Sequence, residues 1–238
     1  ILRAIRANKK YTEEEARLLD LCLIVHADHG GGNNSTFTTR VLTSSHTDTF
    51  ATLSAAIGSL KGPRHGGANL KVAEMLEHMM PAISDPTDEA AVKDYLAKIV
   101  RKEVGDKSGL IYGMGHAVYT ISDPRAVILK EEARKVAEGT ELEREFMLLE
   151  AIERLSPEVL NEIKGSNRAI CANVDLYSGL IYRSLGIPSD LFTPLFAVAR
   201  MAGWCAHRME ELATGGRIIR PAYKSVSNNV VYVPMDER

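Results

Sequence analysis

Three of the seven histidines in this 238-residue chain stand at glycine-flanked turns. His65 sits in Gly-Pro-Arg-His-Gly-Gly-Ala-Asn, His116 in Gly-Met-Gly-His, and His29 in His-Ala-Asp-His-Gly-Gly-Gly. Flanking glycines remove side-chain bulk, so a ligand can approach both the imidazole and the neighbouring backbone N–H groups. The same settings also suit a ring that only bonds a backbone carbonyl in a turn. His46, His78 and His207 lack such surroundings and read as surface or packing residues. Asp175 is a single carboxylate in Ala-Asn-Val-Asp-Leu-Tyr-Ser-Gly, near a helix start, where it could serve as a base or as an N-cap. Arg125, Arg200 and Arg220 fall beside helix ends or turns, where a guanidinium can pair with surface acids or clamp a carboxylate bidentately.

Other chemistries find less support. His26 and His29, with Cys22 one turn earlier, resemble part of a metal site, but no second cluster at ligand spacing completes it, so no metal is expected. No P-loop pattern occurs. Gly113-x-Gly115 lacks the third glycine and the preceding strand of a dinucleotide fingerprint.

The elements that must position these residues read as helices. Thr12 with Glu15 forms a capping box ahead of Leu18, Leu19, Cys22, Leu23 and Val25. A stretch rich in small residues runs from about Thr49 to Leu60 and ends at Gly62-Pro63. A helix begins just after His65, with Val72, Met75, Leu76 and Met79 inward and Pro81 as its stop. Another spans about Thr87 to Glu103. Residues 105–120, with Gly-Met-Gly-His at the centre, have no helical period and read as a functional loop.

Asp123 and Pro124 open the next helix, Thr140 with Glu143 predicts a second capping box, and Ser156-Pro157 predicts a fresh, shorter helix. The last long helix opens at Thr193-Pro194, carries Leu195, Val198, Ala202, Cys205, Ala206, Met209 and Leu212, and stops at Gly215-Gly216. Only Val230 to Val233 looks like a strand. The expected fold class is therefore all-α.

Composition fits a folded domain, with 45% hydrophobic and 25% charged residues. A formal net charge of -2 gives no reason to expect nucleic acid or an acidic membrane as partner. Cys22, Cys171 and Cys205 form neither a disulfide framework nor a C-x-x-C pair, which suits a reducing, cytoplasmic compartment. No apolar run approaches the roughly 18 residues that span a bilayer. The chain opens on Ile1 instead of Met, as a cut, a processing site or an expression boundary would leave it.

The ordered conjunction is more specific than any one motif. His-Ala-Asp-His-Gly, Gly-Pro-Arg-His-Gly-Gly-Ala-Asn, Gly-Met-Gly-His-Ala-Val-Tyr, Asp-Pro-Arg, Asn-Val-Asp-Leu-Tyr-Ser-Gly, Ala-Arg-Met-Ala-Gly-Trp-Cys-Ala-His and Arg-Ile-Ile-Arg-Pro follow one another along the chain. Together they resemble the citrate synthase family, over essentially the whole sequence.

The resemblance implies a large α-helical domain, here partial, formed by residues 1–65 and 190–238, with a small helical domain inserted at 66–189. It implies condensation of acetyl-CoA with oxaloacetate and water to citrate and CoA, with acetyl-CoA as a substrate and no separate cofactor. Asp175 would then take a proton from the acetyl methyl, His65 would hydrogen-bond the thioester carbonyl, and His116 would polarise the oxaloacetate ketone. His29, Arg125, Arg200 and Arg220 would bind oxaloacetate, Arg220 by reaching the neighbouring site of a homodimer. CoA would lie along Gly113, Met114, Gly115 and Ala117 and near Asn173.

Three departures stand out. Gly30 replaces the glutamate of many relatives, and Ile-Cys-Ala replaces Leu-Tyr-Pro before Asn173. The family's N-terminal region has no counterpart here. The motifs serve equally a 2-methylcitrate synthase using propionyl-CoA, and the short length leaves a non-catalytic fragment as a third reading.

Overall fold

The computed structural model describes residues 1–62, 65–116, 118–227 and 231–238. Among them the chain is all-α: α1 (Leu2–Ile5), α2 (Glu13–His26), α3 (Asn34–Ser44), α4 (Thr49–Lys61), α5 (Ala68–Ala82), α6 (Glu89–Val100), α7 (Pro124–Ala137), α8 (Glu143–Lys164), α9 (Asp175–Ser184) and α10 (Phe192–Thr214). Met114 and Ala172 form an isolated antiparallel bridge. Val231 to Val233 form no strand, and Val230 lies outside the described residues.

Helix starts follow the expected capping chemistry where a short polar side chain precedes an amphipathic run. Thr12 Oγ1 accepts from the Glu15 N–H at 3.1 Å while the Glu15 carboxylate accepts from the Thr12 N–H at 2.7 Å, so α2 opens on a complete capping box. Asp123 caps α7 with Pro124 at its first position. Gly165 and Gly215, both in the left-handed region, close α8 and α10.

Tertiary packing overrules local signals in several places. The Ser156-Pro157 break does not form, because α8 runs unbroken through Pro157. Proline inside a helix costs about 3 kcal/mol. Ile152, Leu155, Val159 and Leu160 are buried on both sides of it, at roughly 1.5–3 kcal/mol for each such side chain, and their burial outweighs the lost bond. Pro81 likewise lies inside α5, one residue from its end. The Thr140 hydroxyl donates to the Ala137 carbonyl at 2.8 Å instead of capping α8, which starts from Leu142 without a side-chain bond.

Helix α3 has no apolar stripe. Its buried face is Ser35, Thr36, Thr39, Thr43 and Ser44. The Thr39 and Thr43 hydroxyls donate to the carbonyls four residues earlier at 2.9 and 2.7 Å, so these two are buried without losing their bonds, whereas Thr36 Oγ1 has no partner among the described residues.

Two apolar clusters hold the helices. The larger joins α2 with α5 to α9 and the start of α10; the smaller, Ala56, Leu60, Phe196 and Trp204, joins α4 to α10. On α10, Leu195 is buried, whereas Val198, Met209 and Leu212 face outward. Among the described residues no helix is long and apolar enough to cross a membrane.

Candidate functional site

The end of α2, the turn before α5, the loop before α7 and the starts of α7 and α9 converge beside α10. His29 Nε2 stands 2.8 Å from His116 Nε2. The neighbouring bonds decide which ring carries the shared proton. His116 Nδ1 accepts from the N–H groups of Val118 and Tyr119 at 2.9 and 3.0 Å, so a neutral His116 ring holds its proton on Nε2 and donates it to His29. The same N–H pair, closer than the Arg125 Nη2 that stands 3.4 Å from His116 Nε2, favours Nε2–H as the donor for any oxygen that displaces His29. Burial lowers the pKa of both rings, that of His29 to about 4, and the Arg125 guanidinium adds to this in each case. Both are neutral at pH 7.

His65 is held by α3. Its Nε2 accepts from the Ser35 N–H at 3.3 Å and lies 3.0 Å from Ser35 Oγ, which itself accepts from Trp204 Nε1 at 3.2 Å and whose single proton can go either to this Nε2 or to Asn33 Oδ1, 2.8 Å away. With Nε2 accepting, the His65 proton sits on Nδ1. Burial lowers its pKa, and the nearby Arg200 charge adds to the effect. Gly66 allows the turn, because a Cβ there would meet the Leu60 carbonyl oxygen at 2.2 Å.

Two guanidiniums flank the imidazoles. Arg125 is gripped by Asp123, which accepts from its backbone N–H and Nε at 3.0 Å each and from Nη2 at 2.7 Å. Burial would raise the Asp123 pKa, but the Arg125 bonds hold it below the ordinary carboxylate range. Arg200, 1% exposed, donates from Nε to the His26 carbonyl at 2.7 Å and stacks over Phe196 at 4.8 Å. Among the described residues its Nη1 is buried with no partner. Burial and the Arg125 charge lower its pKa to about 10.

Asp175 is the first residue of α9, and its carboxylate caps nothing. Asn173 Oδ1 takes over that task by accepting the Asp175 N–H at 3.0 Å. Burial raises the Asp175 pKa to about 6, against the pull of Arg125 and Arg200. Among the described residues its side chain accepts no hydrogen bond, so the cleft holds a carboxylate more basic than usual and unoccupied by the protein itself.

The glycine loop is fixed by backbone pairing. Gly115 N–H donates to the Cys171 carbonyl at 2.8 Å, Asn173 N–H to the Gly113 carbonyl at 2.9 Å, and Asn173 Nδ2 to the Gly115 carbonyl at 3.0 Å. Gly113 adopts φ +81°, and a Cβ there would lie 2.6 Å from Leu176. Met114 and Gly115 then line one wall of an open groove of about 470 Å³ whose other wall carries Lys164, Ser166 and Arg168. Ala117 lies outside the described residues.

The structure therefore brings together His29, His65, His116, Arg125, Asp175 and Arg200, with Gly113, Met114, Gly115 and Asn173 alongside. It does not bring Arg220 to them. Arg220 is exposed on the extended stretch after α10, where the Ile219 N–H donates to Ser44 Oγ at 3.0 Å, at the far end of α3 from Ser35. Nine residues of helix separate those ends, roughly 13 Å.

Residues 1–222 match the family described as citrate synthase, C-terminal domain. The chain belongs to the citrate synthase family. It is 40% identical over 224 residues to the citrate synthase of Synechocystis sp., covering 94% of this chain and 52% of that protein. It thus spans about half the length of such relatives. A solved citrate synthase from Pyrobaculum aerophilum superposes with TM-score 0.74 at 36% identity, covering 99% of this chain and 55% of the other. One from Thermoplasma acidophilum, a ternary complex with carboxymethyl coenzyme A and oxaloacetate, gives TM-score 0.75 at 31% identity, covering 97% and 57%.

Several residues of the site escape motif reading. Ser35 and Trp204 hold His65 but sit on helices whose spacing says nothing of each other. Lys164 and Arg168 flank a helix-ending glycine, and only the groove links them to the glycine loop. His207, read as a surface or packing residue, is bonded to Asp28.

Proposed function

We propose that this chain carries the active site of a citrate synthase, condensing acetyl-CoA with oxaloacetate and water to give citrate and CoA. The observation that carries the reading is the cleft itself, where two imidazoles of fixed tautomer, a basic carboxylate without a partner and two guanidiniums meet.

An aspartate at its ordinary pKa is too weak a base to deprotonate a carbon acid unaided. Desolvation pushes the Asp175 pKa up to about 6, and His65, with its proton on Nδ1, donates a hydrogen bond to the thioester oxygen as negative charge develops there. The enol carbon then attacks the oxaloacetate ketone, whose oxygen gains charge and is met by His116 Nε2–H. For this the ketone oxygen replaces His29 as the acceptor of that proton, and His29 turns to the substrate. Water hydrolyses the resulting thioester and releases CoA.

Oxaloacetate carries two carboxylates, which suit the planar forks of Arg125 and Arg200. The unpartnered Nη1 of Arg200 supports that role. CoA would run along Gly113, Met114, Gly115, Ala117 and Asn173, with Lys164 and Arg168 facing its phosphates across the groove. No resident cofactor enters the scheme.

Residues 1–65 and 190–238 would belong to a large domain and 66–189 to a small one that closes over the cleft. The packing of α3, α4 and α10 on one another, and of α5 to α9 on one another, supports that division, with α2 touching both α10 and α7. The position of Arg220 suits a contribution to the neighbouring site of a homodimer, and three free cysteines suit a cytoplasmic setting.

The test is release of free CoA from acetyl-CoA and from propionyl-CoA, with and without oxaloacetate, on the full polypeptide that carries these residues. Release that depends on oxaloacetate and favours acetyl-CoA is expected. A preference for propionyl-CoA would convert the reading to 2-methylcitrate synthesis, and no oxaloacetate-dependent release from either would sink it.

A further inference from the structure

Helix α10 grips the segment leading to His29 at three points. Arg200 Nε–H donates to the His26 carbonyl at 2.7 Å, Gly203 N–H to the Ala27 carbonyl at 3.0 Å, and His207 Nε2 lies 3.1 Å from Asp28 Oδ1. Residues 200, 203 and 207 follow i, i+3, i+7 spacing, so the three contacts form one line along one helix face. The approach is close, since a Cβ on Gly203 would meet the Ala27 carbonyl oxygen at 2.4 Å and Asp28 Oδ1 at 2.8 Å.

The last contact is the one nearest His29, and its polarity is fixed. Arg40 Nη2 donates to His207 Nδ1 at 2.9 Å. An arginine cannot accept, so Nδ1 carries the lone pair and Nε2–H points at the Asp28 carboxylate. Arg40 is itself held by Glu210 and Glu211 one turn further along α10. Partial burial would raise the Asp28 pKa, yet the carboxylate lies below its ordinary range because the backbone N–H groups of His29 and Gly30 and the His207 ring face it. The carboxylate thus joins the His207 ring to the backbone that carries His29.

We propose that His207, through Asp28, is a positioning residue that sets His29 for oxaloacetate, with Arg40 selecting the tautomer that makes the contact. The inference rests on the oxaloacetate-binding reading of the cleft. It anchors the substrate histidine to the helix that carries the Arg200 clamp, so that their spacing is fixed by α10 and not by the Gly30-Gly31-Gly32 run.

The experiment compares His207→Ala, His207→Gln, Asp28→Ala and the His207→Ala/Asp28→Ala double variant in the full polypeptide. KM values for oxaloacetate and acetyl-CoA and the His29 imidazole signals in ¹⁵N NMR are measured. Loss of one charge-assisted hydrogen bond predicts an oxaloacetate KM about ten-fold higher in His207→Ala. The acetyl-CoA KM moves less than about two-fold by the same argument, because the bond does not face the CoA groove. Gln can accept from Arg40 and donate to Asp28, so His207→Gln restores both the KM and the His29 signal, and the double variant is no worse than either single alanine.

An unchanged oxaloacetate KM, equal rises in both KM values, or His207→Gln as impaired as His207→Ala would each overturn the proposal. If the unmodified protein releases no CoA, the functional reading fails on its own. The NMR arm still decides this one: an unmoved His29 signal in His207→Ala refutes the positioning role, and a shift restored by Gln upholds it.

Discussion

Two buried arginines on α10, eight residues apart, divide the molecule into a part that is finished and a part that waits. Arg208 donates from Nη1 to Thr43 Oγ1 and Thr52 Oγ1 at 3.2 and 3.1 Å, from Nε to Thr49 Oγ1 at 3.2 Å, and from Nη2 to the Thr47 carbonyl at 2.8 Å. Among the described residues Arg200 has one hydrogen bond, a stacked ring and an orphaned Nη1. Among the described residues neither forms an ion pair with a carboxylate. An unsatisfied buried donor costs about 1–3 kcal/mol. Around Arg208 the hydroxyls of α3 and α4 avoid that cost, although Thr36 Oγ1 and Arg40 Nε on α3 stay buried without a bond among the described residues, while the cleft accepts it at Arg200 beside a carboxylate that is also unpartnered. Unmet polar groups gathered in one place mark where a ligand completes the protein.

The strongest test of the contrast is Asp175→Asn. Turnover should fall by about a thousand-fold, the order expected when a general base is lost, while oxaloacetate still binds. The variant should also be more stable at pH 7, by roughly 1–3 kcal/mol, because it no longer holds a desolvated charge. Calorimetric melting beside a turnover assay reads both effects, and a variant that stays active would refute the assignment of the base.

Next in size is the reciprocal pair on α10. Arg200→Ala should weaken oxaloacetate binding about a hundred-fold, since it removes a charged, bidentate contact, and should cost little stability. Arg208→Ala should lower the unfolding free energy by about 2–4 kcal/mol, through lost bonds and a cavity, with oxaloacetate affinity kept. Titration calorimetry and urea unfolding would expose the contrast as empty if both variants lost the same property.

Arg220→Ala should raise the oxaloacetate KM about ten-fold, as for one exposed ionic contact. Mixing it with Arg200→Ala should recover part of the activity if subunits share sites, and absence of recovery would argue against a crossing arginine. The smallest expected effect is on pH. In the folded chain Asp175 binds its proton up to about pH 6, whereas the unfolded group releases it near 3.8. Stability from this group is therefore lost as pH rises from about 4 to 6, while kcat/KM rises through about 6 as the base ionises. A pH–rate profile with no inflection between 5 and 7 would contradict this.

Legibility in the sequence followed the range of each interaction. The α2 capping box, the Asp123-Pro124 start of α7 and the glycine stop of α10 depend on neighbours within a few residues, and each could be read directly. Helix α3 was missed because its buried face is made of threonine and serine, which bury safely only when Arg208 and the carbonyls of the preceding turn meet them. The proline break in α8 was wrongly expected because a local cost was visible and the compensating burial was not.

By itself the sequence determined the residue types, the motif order and the local helix boundaries, since side-chain chemistry and backbone preference act within a turn or two. Tertiary structure alone decided the imidazole tautomers, the raised basicity of Asp175 and the orphaned donor on Arg200. Those properties arise from desolvation and from partners far away in the chain, such as Ser35 on His65 and Asp28 under His207, and no periodicity records them.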